Sequence, residues 1–306
     1  MRPILEQGIE GFVLEPDLVL AEGALGANLK LIEAVALTYP EDRAFRLMAA
    51  MARATFAFGF VKDELNAVKI SYPLDRARID ALAARAKQSY ALGRKHAESV
   101  LYENEDFSEV MGGEGLEFVD LDTFDLALAT LTAEDAAALF WVAFNWGGSL
   151  EIELDVAEAT HLPRLERMAA RVLELDESYF YGVGPHLLAG TRKGFRSPAL
   201  GGSPDAATKH FERAKQLGGG ALLPDVMTAA LVHAQTENQD GFEKILLEVI
   251  SSTIAAEHAL LDAMAKRQAC RLYANLDLYF LDDAKPTPEA CNAVPQKHPL
   301  REVLAP

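Results

Sequence analysis

Glu158 and His161 stand three residues apart, the ExxH spacing that puts a carboxylate and an imidazole on one helix face where they can share a metal ion. A di-metal centre of that kind needs a second such pair on a facing helix, and the chain holds no other. No metal is therefore expected, and His161 reads as an exposed first-turn residue with Pro163 close behind. Gly201 and Gly202 raise a second chemistry, a phosphate-gripping loop. Such a loop needs GxxxxGK[ST], because glycine amides wrap the phosphate while lysine neutralises it, and here the pair runs into Ser203-Pro204-Asp205 instead. Serine before proline and an acid is a helix start: Ser203 caps, Pro204 fits the first turn, and Asp205 complements the helix dipole. HExxH, GxSxG and Cys-His nucleophile patterns are all missing, so neither an enzyme nor a cofactor is expected.

Two other groups of residues point to binding. Phe140, Trp141, Phe144 and Trp146 crowd one and a half helical turns, with Asn145 among them. Rings at this spacing either fill gaps between helices or wall a ligand site, and an amide buried beside them needs partners. The segment 178–198 combines Tyr179, Phe180 and Tyr181 with His186, Arg192, Lys193 and Arg196. The chain carries a formal charge of −17, from 46 acidic and 29 basic residues, so this basic cluster is a local inversion. It can meet a carboxylate or simply solvate a helix face. Trp141, Phe144, Asn145, Trp146, Tyr181, His186, Arg192 and Arg196 are the candidate ligand-binding residues.

The acidic balance argues against nucleic acid or an anionic membrane surface as partner. A 50% hydrophobic fraction over 306 residues supports a large core. No run is expected to supply the roughly 18 to 20 apolar residues that span a bilayer. Cys270 and Cys291 lack CxxC spacing, so neither a disulfide framework nor a zinc site is indicated.

The elements that must position these residues are all helical, since Ala, Leu, Glu and Arg dominate at helical periodicity. Helices are predicted at 17–38, 41–60 and 72–102, the last entered through Pro73 in its first turn. The acidic, glycine-broken stretch 103–120 reads as a linker or a pair of short turns. Thr132 with Asp135 starts the aromatic helix, and Gly147-Gly148 is expected to end it. Further helices are predicted at 161–175, 185–194, 204–217, 222–237, 241–250 and 257–281. Residues 1–285 are expected to form one helical domain, with 286–306 a loose proline-containing tail.

Ala207, Phe211 and Ala214 fit the second helix of a tetratricopeptide unit, in which small residues let a hairpin close and an aromatic fills the gap to the next. The step from Glu177 to Gly219 exceeds the ~34 residues of a standard repeat, so the repeat is degenerate. The expected fold is all-α, an array of antiparallel hairpins of tetratricopeptide-like solenoid type. Such an array also suits an adaptor that captures a peptide in its concave groove.

The stretches "LFWVAFNWGGSL", "PHLLAGTRKGFRSPALGGSPDAATKHFERA" and "LLDAMAKRQACRLYANLDLYF", with "ANLKLIEAVALTYPEDRAFRLMAAMARATFAFGFV", resemble the T-component (TatT) family of tripartite ATP-independent periplasmic (TRAP) transporters. The resemblance covers about 17 to 281. It implies a non-catalytic periplasmic lipoprotein, a homotrimer that docks the solute-binding P component and shelters a hydrophobic or organic-acid ligand. No signal peptide or lipid-attachment cysteine precedes residue 17, so the anchored form would need an N-terminus upstream of this chain.

Overall fold

A computed structural model describes residues 11–153, 156–198, 201–280 and 285–294. Among these every regular element is helical, as the periodicity requires. The chain clusters into two compact units, residues 25–192 and the remainder.

In the first unit, α1 (Leu18–Thr38), which begins before the unit boundary, is followed by α2 (Arg43–Phe56), a π-helical turn (Ala57–Val61) and α3 (Lys62–Lys69). Asp42 starts α2 by accepting from the Ala44 N–H at 2.9 Å. The run Arg43–Lys69 is, contrary to expectation, long and apolar enough to cross a membrane. Two thirds of its apolar window is buried inside the protein, as in a core helix.

Helix α4 (Arg76–Leu101) starts four residues later than predicted. Asp75 caps it by accepting from Arg78 N–H at 3.0 Å, and Pro73 lies ahead of it. Its buried residues Leu82, Ala86, Ser89, Tyr90, Gly93, Ala97 and Val100 recur at three- and four-residue intervals, forming one face.

The stretch read as a linker is instead ordered structure. It holds α5 (Glu105–Met111), capped by Asn104, and ends at Asp120, the cap of α6 (Leu121–Thr130). Phe107, Met111, Leu116 and Phe124 are all but fully buried. The acids lie at the caps and outside, so the segment closes the core rather than bridging two parts of it.

Helix α7 (Ala136–Ile152) is the axis of this unit, packed against α2, α4 and α8 (Leu162–Leu175). It is apolar on nearly every side, the composition of a helix enclosed by others. Thr132 and Asp135 form the predicted capping box in the 3₁₀ turn before it. Gly147 and Gly148 do not end α7; it runs on through both to Ile152. A Cβ on Gly148 would come 2.6 Å from the Tyr90 ring, and one on Gly147 would meet the Arg192 guanidinium at 3.0 Å. The glycines make a recess for side chains of other helices. Helix α9 (Gly184–Gly194) follows, and its residues through Arg192 complete the unit.

The second unit contains α10 (Pro204–Leu217), α11 (Leu223–Thr228) running into a π turn (Ala229–His233), α12 (Gln239–Ser251) and α13 (Ala259–Tyr273). Ala207, Phe211 and Ala214 form the buried line of α10. Asp262, almost wholly buried, accepts from the Leu222 N–H at 2.9 Å and the Ala255 N–H at 3.2 Å, tying two loops to α13. Helix α13 ends earlier than predicted, a 3₁₀ turn (Leu276–Leu278) taking over. Cys270 and Cys291 are joined in a disulfide, which corrects the reading of the cysteines. The bridge buries Cys291 within the 3₁₀ turn Glu289–Ala293, whose other residues are exposed. Residues 295–306 of the predicted tail lie outside the described residues.

Candidate functional site

The aromatic residues of α7 and those of the 179–181 segment, nearly forty positions apart, meet in one cluster. Phe140 stacks on Phe180 with centroids 6.1 Å apart, and Trp141 meets Phe180 edge-on at 5.3 Å. The indole N–H of Trp141 donates to the Tyr179 hydroxyl at 2.8 Å. Burial, partly offset by that bond, pushes the Tyr179 phenol up to about 12. Trp141 is buried, with 3% of its surface exposed. Phe144 is half-buried and packs edge-on against Phe58 of the π turn at 5.8 Å.

The backbone that presents Phe180 and Tyr181 is unusual. Phe180, Tyr181 and Gly182 take φ of +50°, +62° and +70°, three left-handed residues in succession. Glycine adopts this conformation freely, whereas each bulky ring held there costs on the order of 1 to 3 kcal/mol. The turn stands Tyr181 outward, 43% exposed, beside Phe180 at 5.3 Å.

Phe144, Gly147, Gly148 and Glu151 lie on one face of α7, since they recur at helical spacing. Arg192 of α9 reaches this face over Gly147 and pairs with Glu151. The other Glu151 oxygen accepts from the Lys62 ammonium at 2.5 Å. Lys62 also sits over the Phe58 ring at 5.8 Å. Burial first and the Arg192 charge second pull the Lys62 ammonium down to about 8. Burial lowers Arg192 likewise, to about 10. Tyr90 of α4 is fully buried next to this group, its phenol pushed well above the ordinary range and its hydroxyl without a hydrogen-bond partner.

The remaining sequence candidates lie elsewhere. Asn145 lies about 100° round α7 from Phe144, where its amide donates to the Trp141 carbonyl at 2.8 Å and its oxygen stands over Gly93 of α4. Trp146 is buried beneath the Arg94 guanidinium, 4.0 Å from the ring centroid, with His161 at 5.2 Å. His161 is thus half-buried, not the exposed residue expected. His186 pairs with Glu177 at 2.9 Å. Arg196 belongs to the second unit, where its carbonyl occupies the space a Gly202 side chain would fill. Gly201 has φ +85°, and the Ser203 hydroxyl accepts from the Ala206 N–H at 3.2 Å, starting α10 at Pro204. The loop's groups are engaged in turning the chain. Among the described residues no three His, Cys, Asp or Glu side chains gather to hold a metal ion.

Sequence reasoning missed Lys62, Tyr90 and Glu151. A signal existed for one of them: Glu151 is the sole charged residue in the seventeen of α7.

An axial apolar helix, an aromatic cluster open along one edge and a buried ionic group characterise this helical unit. The family model described as TRAP transporter T-component matches residues 14–280, and the chain belongs to that family. It is thus a transporter accessory component of helical architecture. No individual curated protein matches the chain.

Proposed function

We propose that the protein is a non-enzymatic accessory binding subunit of a TRAP-type transporter, which docks the solute-binding P component and shelters a hydrophobic or organic-acid ligand. Family membership supports the transporter role. The observation that carries ligand sheltering is the half-open aromatic edge of α7, where Phe58, Phe144, Phe180 and Tyr181 offer ring surface beside a left-handed turn. Apolar rings left partly open and held by a strained backbone mark ligand-facing surface. The Cys270–Cys291 disulfide supports an oxidising compartment, in keeping with a periplasmic, lipid-anchored form. The proposed assembly is a homotrimer of tetratricopeptide-like hairpins, a reading favoured by the buried Ala207, Phe211 and Ala214 line of α10.

Sedimentation velocity of the purified protein with the P component tests this. A trimer that shifts to a heavier complex on adding the P component is expected. A monomer indifferent to it would favour the peptide-binding adaptor, for which the same line of α10 also speaks.

A further inference from the structure

The ionic group beside the aromatic edge has features that a purely structural salt bridge does not require. Lys62 is enclosed strongly enough that burial depresses its ammonium, yet 18% of its side chain remains open. The group is thus both enclosed and reachable from solvent. Its Glu151 partner is 10% open, whereas Arg192 behind them is only 4% open. The ammonium has three N–H donors, and Glu151 takes one. Tyr90 adds a buried hydroxyl with no partner, its ring lying against Gly148 one turn before Glu151. A buried hydroxyl is costly to leave unpaired, so a group able to accept from it gains by entering.

The apolar edge begins at the same place. Lys62 lies over Phe58, Phe58 packs on Phe144, and Phe144 continues through Phe140 to Phe180. One end of this path is cationic and donor-rich, and the other is aromatic.

We infer that Lys62, Tyr90 and Arg192 form the head-group subsite for a carboxylate with an apolar tail, the tail lying along Phe58, Phe144 and Phe180. Glu151 holds the cations when no ligand is present. An entering carboxylate replaces it as acceptor for Lys62 and takes the Tyr90 hydroxyl as a further donor. Nothing covalent changes, and Glu151 swings toward solvent, to which it is already partly open. This assignment rests on the ligand-sheltering reading above and narrows it to one chemical class and one end of the site.

Isothermal titration with octanoate and octanamide tests it, because the two differ in charge but hardly in shape. The intact protein is expected to bind octanoate at least tenfold tighter than octanamide. In Lys62→Met the two are expected to bind within twofold of each other. Tyr90→Phe, which removes only the unpartnered hydroxyl and so preserves the fold, is expected to weaken octanoate three- to tenfold and leave octanamide unchanged. Lys87→Met, altering a lysine that pairs with Glu153 and Glu158 instead, serves as the charge control and should keep the preference. Equal binding of both compounds to the intact protein would overturn the head-group assignment while leaving apolar sheltering in place. Binding of neither would remove both. If Lys62→Met fails to fold, the preference of the intact protein and the Tyr90→Phe result decide the matter.

Discussion

Two sides of α7 solve different problems with neighbouring residues. On the side of Asn145 and Trp146 the helix is pressed against α4 so closely that Gly93 has no room for a methyl group. Arg94 lies flat on the indole and ties to Glu98 and Glu117 at 2.5 and 2.7 Å. On the side of Phe144 and Glu151 the rings are half-open, the backbone nearby is left-handed, and a buried hydroxyl goes unpaired. The first side is built for closeness, and Arg94 there has both acids and a ring. The second keeps left-handed backbone under two bulky rings and the unpartnered Tyr90 hydroxyl, while on the first side the Asn145 Oδ1 is likewise buried without a hydrogen-bond partner. One residue of offset separates the tightly packed Asn145 from the half-buried Phe144.

The contrast is broken most severely at Trp146. Trp146→Ala should cost about 3 to 5 kcal/mol, because it empties a packed site and uncovers Arg94, and thermal unfolding would register it as a large drop in Tm. Gly93→Ala should cost about 1 to 3 kcal/mol by forcing a methyl group into the Asn145 amide, measurable as a lower urea midpoint. Phe144→Ala, on the open side, should cost only about 1 to 2 kcal/mol, since its ring is only partly withdrawn from water on folding, and should instead abolish ligand retention. A Phe144→Ala variant as unstable as Trp146→Ala would erase the distinction. The smallest effect concerns His161, whose imidazole is lowered by burial first and by the Arg164 charge second. A lowered imidazole means that the unfolded chain takes up the proton more readily, so stability should fall as pH drops through about 6.5. Proton NMR of His161 should show it neutral at pH 7, titrating below the ordinary histidine value.

Much of the scaffold was legible from the chain alone because its signals are local. Ser203-Pro204-Asp205 marks the start of α10, and the Thr132/Asp135 box marks the turn before α7. What escaped the sequence depended on distant partners. Gly147-Gly148 reads as a helix terminator until Tyr90 and Arg192 are seen filling the space beside it. The acids of 103–120 hide Phe107, Met111 and Leu116, whose value lies in the core they close. The pairing of Cys270 with Cys291 depends on the turn that carries Glu289–Ala293 back to α13. The aromatic residues were visible as a group, but which faced neighbours and which faced open space depended on the helices around α7. Lys62 and Glu151 stand 89 positions apart and meet only in the folded unit.

Native mass spectrometry of the purified protein beside Phe144→Ala tests the central claim, that the open side of α7 holds an apolar ligand. The intact protein should carry a small-molecule mass that is released on denaturation, and the folded variant should lack it. Identical spectra from the two proteins, either bare or with the same mass retained, would contradict the account.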